Sequence, residues 1–265
     1  MTRWALRVLA GVLGVVVGVY AAPAPVQSPI ASTRTEPAPP AQVEPAPADP
    51  PPPLDGVTIA LDPGHQLGNH NFPAQTQHLV PAGGFKKPCN TTGTESRSGV
   101  PEATVNWRIV RLAQARLEAL GATVRLTRTS NRADRWGPCV DVRGRFGGHV
   151  GARLTVSVHA DGAPPADHGF HVIARPHDTV SLRLAKALRA GFDEHHLARS
   201  NYVGGGSALS IRSDLATLNL STVPVAMLEI GNMANRADAR RMTSRTGQAR
   251  YAAAVVAGIR GFLRR

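Results

Sequence analysis

Short apolar runs rich in β-branched residues alternate with amphipathic segments through residues 54–265 of this 265-residue sequence. The predicted strands are 57–61 (VTIAL), 122–128 (ATVRLTR), 154–158 (LTVSV), 169–174 (GFHVIA) and 223–230 (VPVAMLEI). Helical periodicity follows Pro101, covers 180–192 and extends from 236 to the C-terminus, while 66–100 reads as a long irregular loop. The alternation predicts a single α/β domain over 54–265, with a twisted, mostly parallel sheet flanked by helices.

Residues 1–22 have the features of a secretory signal peptide. Arg3 and Arg7 form a basic start, 8–22 carries no charge, and small residues surround Ala22, where we expect cleavage. The uncharged run has 15 residues, fewer than the roughly 20 that a membrane-spanning helix needs. An uncleaved anchor helix is the alternative, and no cysteine stands at the cleavage point to carry a lipid anchor.

Residues 23–53 differ in composition from the rest of the chain. They hold 12 of the 22 prolines and few large apolar side chains. Such a segment cannot bury apolar surface and is extended and poorly ordered. We therefore expect a disordered Pro/Ala-rich linker between the signal peptide and the folded domain.

The chain is strongly basic, with a formal net charge of +12 that becomes +10 when residues 1–22 and their two arginines are removed. A basic exported protein favours anionic polymers, although a general bias toward arginine gives the same charge. With 5% aromatic residues and no nucleic-acid-binding motif, no nucleic-acid partner is expected. We predict a monomer secreted to the periplasm or cell wall, in contact with the membrane only transiently during export.

The sequence has two cysteines, Cys89 and Cys139. An exported protein meets an oxidising environment, in which disulfides form and persist. We expect these two residues to pair and to pin the 66–100 loop beside the active cleft, with two free thiols as the alternative.

Polar side chains follow or end three of the predicted strands. His65 comes just after the first strand, His159 and Asp161 follow the third, and Glu229 lies near the end of the last. Ligands of open α/β sheets bind at the carboxyl ends of the strands. We therefore expect these side chains to meet at one edge of the sheet, although each could instead make only local hydrogen bonds.

Glu102 lies in the first turn of a predicted helix, in phase with the apolar positions Val105, Ile109 and Ala113. The predicted apolar stripe of this helix consists of Val105, Ile109, Leu112, Ala113, Leu117 and Leu120. A carboxylate on a buried helix face must be paired or must bind a metal ion. The helix dipole favours an acid in the first turn of a helix, but it does not explain why Glu102 lies on the apolar face. Glu102 is therefore a further candidate for the same site.

Two histidines and one glutamate form the ligand set of a catalytic zinc site. We assign His65, Glu102 and His159 to one Zn²⁺ per chain, which leaves Glu229 as the general base that activates water. Asp62 is expected to orient His65. The alternative ligands are His70, His78 and Glu95, which all lie in the 66–100 loop.

Four motifs in order resemble those of a known family: LDPGH (61–65), Glu102 with Asn106, SVHAD (157–161) and LEIGNMAN (228–235). Over about 55–265 the sequence resembles the zinc-dependent N-acetylmuramoyl-L-alanine amidases of the amidase_3 group, most of all the secreted mycobacterial type. The resemblance implies a catalytic amidase domain that hydrolyses the amide between the lactyl group of N-acetylmuramic acid and L-alanine of peptidoglycan. It places the metal ligands on His65, Glu102 and His159 and the catalytic carboxylate on Glu229.

The sequence departs from this family pattern mainly around the pocket. Gln66 replaces a common glycine, Asp161 a common asparagine, and Asn232 and Met233 a common aromatic–apolar pair. We expect Asp161, Asn219 and Asn232 to contact the peptidoglycan or muropeptide substrate. The alternatives to an amidase are a zinc peptidase that acts on stem peptides or cross-links and a non-catalytic wall-binding module.

Overall fold

The fold is described from a computed structural model, which covers residues 18–22 and 52–264. The chain divides into two units, Met1–Ala48 and Asp49–Arg265, and every helix and strand below belongs to the second. The predicted signal peptide (1–22) and linker (23–53) lie almost wholly outside the described residues and stay predictions. Within the described residues, no helix combines the length and the apolar character needed to cross a bilayer.

Eight strands and seven helices make up the described fold. The strands are β1 (Thr58–Pro63), β2 (Leu79–Pro81), β3 (Lys86–Pro88), β4 (Thr123–Leu126), β5 (Thr155–Asp161), β6 (His171–Ala174), β7 (Leu209–Ile211) and β8 (Val225–Asn232). The helices are α1 (Pro73–Gln77), α2 (Glu102–Glu118), α3 (Val140–His149), α4 (Thr179–Glu194), α5 (Ala216–Asn219), α6 (Arg236–Thr243) and α7 (Arg245–Leu263).

Six of the strands form one sheet in the order β4-β1-β5-β8-β6-β7. Its neighbours run parallel except for β6, which is antiparallel to β8. All five predicted strands are in this sheet, which confirms the α/β class with a mostly parallel sheet. In the remaining pair, β2 and β3 form a small antiparallel hairpin.

Helices cover both faces of the sheet. The main apolar core lies on the face that packs against α2, α4 and α7, and it includes Ala226 and Leu228 of β8. A smaller cluster on the opposite face joins Val225 and Met227 of the same strand to Leu218 of α5, beside α3. Because successive side chains of a strand alternate between faces, Glu229 follows Met227 onto the α3–α5 face.

Two predictions about local structure are wrong. Residues 66–100, expected to be irregular, contain α1 and the β2–β3 hairpin. Leu112, which fits the apolar period of α2, is 39% exposed because the buried face of that helix runs through Val105, Ile109, Ala113 and Leu117.

Candidate metal centre

His65, Glu102, His159 and Glu229 meet at the carboxyl edge of β1, β5 and β8. His65 follows the end of β1 by two residues, Glu102 begins α2, and His159 in β5 is the register partner of Glu229 in β8. One ligand atom from each of His65, Glu102 and His159 can be chosen so that all three lie within 4.8 Å of one another. Residues far apart in sequence thus supply a compact group of two imidazoles and a carboxylate.

The two imidazoles face the same carboxylate. His65 Nε2 lies 3.3 Å from Glu102 Oε2, and His159 Nδ1 lies 3.1 Å from Glu102 Oε1. The two nitrogens are 3.1 Å apart, and the rings are nearly perpendicular, with an interplanar angle of 83°. The lone-pair side of each ring therefore points into one small volume.

The Glu102 carboxylate is fixed by hydrogen bonds from three directions. Asn106 Nδ2 and the Ala160 N–H donate to Oε1, and the Thr94 N–H donates to Oε2 at 2.9 Å. Glu102 is 2% exposed, as its phase with the apolar face of α2 predicts. Its orientation is set before any ligand arrives, so little freedom is lost on binding.

The tautomer of His65 follows from its other ring nitrogen. Nδ1 lies 3.0 Å from the Thr91 carbonyl oxygen, which can only accept a hydrogen bond. Nδ1 therefore carries a proton, which leaves Nε2 as the ring nitrogen that faces the group and is available to a metal ion.

Glycines make the close approach at the site possible. A Cβ on Gly64 would lie 2.4 Å from the His159 ring. A Cβ on Gly93, whose φ is +82°, would lie 2.9 Å from Glu102 Oε2 and from His65 Cδ2. Side chains at either position would push into the imidazole–carboxylate group.

Charge interactions are strong because the group is buried. Burial opposes ionisation of Glu102, but the imidazoles of His65 and His159 outweigh it and hold the pKa of the carboxyl well below its ordinary value. Burial likewise lowers the pKa of His65, yet the Glu102 carboxylate reverses this effect and raises the pKa above its ordinary value. The ionised carboxylate attracts positive charge to the group, and one carboxylate with two imidazoles is a donor set that suits Zn²⁺.

Glu229 lies on the same face of the sheet as His159, on the neighbouring strand. Burial raises the pKa of its carboxyl well above the ordinary value, and the negative charges of Glu102 and Asp161 raise it further. One carboxylate is thus stabilised in its charged form and the other in its protonated form. Opposed environments of this kind distinguish a ligand from an acid–base group.

Two cavities open on either side of the group. The inner cavity, of about 210 Å³, has apolar walls that include Met227, Leu215 and Val140. The outer cleft, of about 340 Å³, is lined by 92–94 and by Asp161 and Gly162. His65, Thr91, His159 and Glu229 line both spaces. A substrate can therefore extend past the group in two directions.

Asp62, which the sequence predicts to orient His65, makes no hydrogen bond with the His65 ring and acts on this residue through Arg143. Asp62 is fully buried, and its carboxylate pairs with Arg143 and accepts a hydrogen bond from Ser157 Oγ at 2.6 Å. Arg143 Nη2 in turn donates to the His65 carbonyl oxygen at 2.7 Å. Asp62 thus acts on the backbone that carries His65, and Thr91 orients the ring.

The three expected substrate contacts differ in position. Asp161 lines the outer cleft, where its carboxylate accepts a hydrogen bond from Tyr202 Oη. Asn232 is 0% exposed, and its amide donates to the carbonyls of 163, 164 and 167, so its prediction as a substrate contact is wrong. The Asn219 amide donates to the Ala82 and Ser213 carbonyls and ties the hairpin turn to α5.

The rival ligands lie outside the group. His70, His78 and Glu95 are exposed and are not among the residues that converge on Glu102. His78 is close to Cys89 and Cys139, but these sulfurs are bonded to each other, as predicted. The disulfide joins the end of the hairpin to the start of α3, and so fixes the segment that supplies Thr91.

Sequence reasoning missed two buried arginines beneath the site. Arg128 donates to the carbonyls of Pro63, Gly64 and Ala103, while Arg143 donates to those of Pro63 and His65. Together they hold the turn after β1 against the start of α2. In a chain with 30 basic residues, nothing in the local pattern separates these two arginines from those on the surface.

A mostly parallel α/β sheet with an imidazole–carboxylate group at its carboxyl edge is the arrangement expected of a metal-dependent amidase. The sequence model of the amidase_3 family, described as N-acetylmuramoyl-L-alanine amidase, matches residues 59–261. The chain belongs to this family and is a hydrolase.

Proteins of known sequence and structure narrow the likeness to mycobacterial amidases. N-acetylmuramoyl-L-alanine amidase Rv3717 of Mycobacterium tuberculosis is 38% identical over 217 residues, which are 79% of this chain and 88% of that protein. The crystal structure of Ami1 from Mycobacterium smegmatis matches with a TM-score of 0.75 and 36% identity, over 79% of this chain and 98% of that one. The crystal structure of the apo form of Ami1 from Mycobacterium abscessus matches with a TM-score of 0.75 and 39% identity, over 79% of this chain and 100% of that one.

Proposed function

We propose that this protein is a zinc-dependent amidase that hydrolyses the bond between the lactyl group of N-acetylmuramic acid and L-alanine of the peptidoglycan stem peptide. The observation that carries the proposal is the convergence of His65, Glu102 and His159 beside Glu229 in a member of the amidase_3 family. A metal-binding group next to a carboxylate that favours its protonated form has the parts that hydrolysis of an amide requires.

His65, Glu102 and His159 would hold one Zn²⁺ per chain. Their donors are two neutral imidazole nitrogens and one buried carboxylate, and the carboxylate is fixed by Asn106, Ala160 and Thr94. These features fit a catalytic zinc site with three protein ligands. When bound, the metal polarises the amide carbonyl and makes its water acidic, with a pKa of about 7.

Glu229 would act as base and then as acid. Its carboxylate takes a proton from the attacking water, whose oxygen forms a bond to the amide carbon. As the carbon–nitrogen bond breaks, Glu229 returns the proton to the departing nitrogen of L-alanine. The buried setting that raises the pKa of Glu229 helps the carboxyl to hold this proton between the two steps.

Asp161 remains the proposed substrate contact at the site, because its carboxylate lines the outer cleft and Tyr202 holds it in place. Asn219 is better suited to keep the hairpin against α5, since its amide already donates to the Ala82 carbonyl in the hairpin turn and to the Ser213 carbonyl before α5.

We further propose that the enzyme works outside the cytoplasm as a monomer. Residues 1–22 would direct export and be cleaved near Ala22, and 23–53 would form a flexible spacer. A substrate that is a wall polymer and a disulfide between Cys89 and Cys139 both suit this location. Peptidoglycan or its muropeptide fragments would be the partner, without nucleic acid.

The products of digestion test the proposal. Purified sacculi are treated with the enzyme, and the fragments are analysed by mass spectrometry. We expect stem peptides with a free L-alanine amine and glycan strands with an intact lactyl carboxylate. Cleavage within the stem peptide or the cross-link, with L-alanine still attached to the lactyl group, would instead establish the zinc peptidase.

A further inference from the structure

Three arginines line a further cleft, separate from the two spaces at the candidate metal centre. This arginine cleft, of about 510 Å³, is lined by Arg97, Arg236 and Arg240, together with the hydroxyl-bearing residues Ser96, Ser98 and Thr243. It shares no lining residue with the inner cavity or the outer cleft.

Helix geometry and a tight turn form the two walls of the arginine cleft. Arg236 and Arg240 lie four residues apart on α6, on one face of that helix, while Asp238 and Met242 are buried on its other side. Opposite them, the Gly99 N–H donates to the Ser96 carbonyl at 2.8 Å and closes the turn that carries Arg97. Positive charge is thus presented from both sides of one space.

The charge of the arginine cleft is not balanced within the described residues. No carboxylate of 18–22 or 52–264 forms an ion pair with Arg97, Arg236 or Arg240, whereas Arg199 and Arg212 each pair with a nearby aspartate. Asp238, the acid of α6, is buried and accepts from the Gly169 N–H and from Arg241. Three uncompensated guanidinium groups around one space attract an anion.

Both walls are connected directly to the candidate metal centre. Thr94 donates to Glu102 and lines the outer cleft, and it precedes Ser96 by only two residues, at most about 7 Å of extended chain. On the other wall, Asn232 is the register partner of Asp161, and α6 begins four residues after it. The segments that line the arginine cleft therefore continue directly from segments that line the outer cleft.

We propose that the arginine cleft binds free carboxylate groups of the stem peptide while the peptide's first amide lies at the candidate metal centre. This inference rests on the proposed function. It adds that the enzyme selects its substrate by the free carboxylates of the stem peptide. The planar guanidinium fork matches a carboxylate with two parallel hydrogen bonds, and the exposed Ser98 hydroxyl, which lies 3.0 Å from Ser96 Oγ, can donate a further one. A stem peptide that carries several carboxylates meets charges of the opposite sign on both walls.

The test compares two triple variants that lose the same charge. R97Q/R236Q/R240Q removes the arginine cleft, and R125Q/R153Q/R183Q removes three exposed arginines elsewhere on the domain. Each protein is given a soluble muropeptide with free carboxyl groups and the same muropeptide with those groups amidated. For the free acid, we expect the cleft variant alone to raise KM by about tenfold with little change in kcat. On the amidated substrate the cleft variant should match the wild type.

Equal KM values for the two triple variants on the free acid would overturn the proposal. So would a cleft variant that cleaves both muropeptides normally but no longer binds walls that carry phosphodiester polymers, because a phosphate would then be the ligand. The position of the cleaved bond, read from the products of the wild type, tests the proposed function separately.

Discussion

Glu102 and Glu229 are carboxylates of the same site in opposite environments. Glu102 accepts hydrogen bonds from Asn106, Thr94 and the backbone of Ala160, and two imidazoles lower its pKa. Burial and neighbouring negative charge raise the pKa of Glu229. On the basis of this difference we propose metal binding for the first and proton transfer for the second.

Glu229→Gln tests this division of roles. The amide has the shape of the carboxylate but cannot take a proton from water. We expect a loss of hydrolysis by roughly 10²–10⁴-fold, with zinc content and unfolding temperature retained. Glu118→Gln, at an exposed position of α2, is the control and should keep full activity. Activity of Glu229→Gln at the wild-type level would exclude Glu229 as the base.

The backbone near Gly93 sets the space available to Glu102 and His65. Gly93 and Gly99 both have positive φ, but only at Gly93 would a Cβ contact the group, because a Cβ on Gly99 meets nothing within 4 Å. Alanine at either position should cost about 1 kcal/mol of folding stability. We expect Gly93→Ala alone to weaken zinc binding, by roughly 10–100-fold, in a titration with a competing chelator. Equal zinc affinities for the two variants would contradict the close approach.

The buried pair of Asp62 and Arg143 gives a prediction for stability and its dependence on pH. Burial by itself raises the pKa of Asp62, but the charges of Arg143 and His159 and the hydroxyls of Ser157 and Thr127 together outweigh it and lower the pKa to about 2 from an ordinary 3.8. Ionised Asp62 therefore stabilises the fold by about 2 kcal/mol above pH 4. This contribution is lost as the pH falls from about 4 toward 2.

Asp62→Asn leaves the Arg143 charge buried without a partner and should cost about 3–5 kcal/mol near neutral pH. The measurement is urea unfolding between pH 7 and pH 3, where the difference from wild type should shrink at the acid end. Asp134→Asn, in an exposed pair with Arg132, is the control and should change little. A constant difference across this range would show that the charge of Asp62 is not what stabilises the fold.

At the scale of elements, the disulfide between Cys89 and Cys139 connects the hairpin segment to α3, with 50 residues of separation. Closing a loop of this length stabilises a fold by about 2–4 kcal/mol, mainly by restricting the unfolded chain. We expect the Cys89→Ala/Cys139→Ala variant to unfold at lower urea and to bind zinc less tightly, since Thr91 loses a fixed anchor. Reductant should lower the urea midpoint of the wild type toward that of the variant and leave the midpoint of the variant unchanged. Identical midpoints for the two proteins without reductant would contradict the prediction.

Strongly periodic elements could be predicted from the sequence, and elements defined by tertiary packing could not. Four of the five predicted strands are largely buried, β4 alternates between exposed and buried positions, and α2 carries a continuous apolar face, so local pattern and burial agree. Helix α3 has three glycines among ten residues and little apolar surface. It packs against α5, and the hairpin depends on the Asn219 amide and the disulfide for its position. Of these contacts, the disulfide could be predicted because the sequence has only two cysteines, whereas the helix packing and the Asn219 hydrogen bonds have no signature in the local sequence.

The same contrast holds within the site. His65, His159 and Glu229 could be found because strands place their ends at one edge of a sheet, and Glu102 because a carboxylate on an apolar helix face is unusual. The sequence does not reveal the direct partner of Asp62, because the arginine that pairs with it comes from α3, an element that the sequence does not predict. Asn232 was misjudged because its neighbours in the 163–167 turn are distant in sequence.

At the scale of the whole molecule, the basic charge has two parts. Buried arginines such as Arg128 and Arg143 bind backbone carbonyls beneath the site and do not face solvent. The arginine cleft presents exposed charge beside the outer cleft and is where we expect the substrate's carboxylates. The net charge therefore overestimates the positive charge that is exposed to an anionic polymer.

The zinc content of purified variants tests the candidate metal centre most directly. We would measure bound metal by elemental mass spectrometry in the wild type, in Glu229→Gln, and in alanine variants of His65, Glu102 and His159, all checked for folding by circular dichroism. We predict one zinc per chain in the wild type and in Glu229→Gln, and a large loss in each of the three alanine variants. Folded alanine variants that keep their full zinc content would contradict the assignment of these residues as its ligands.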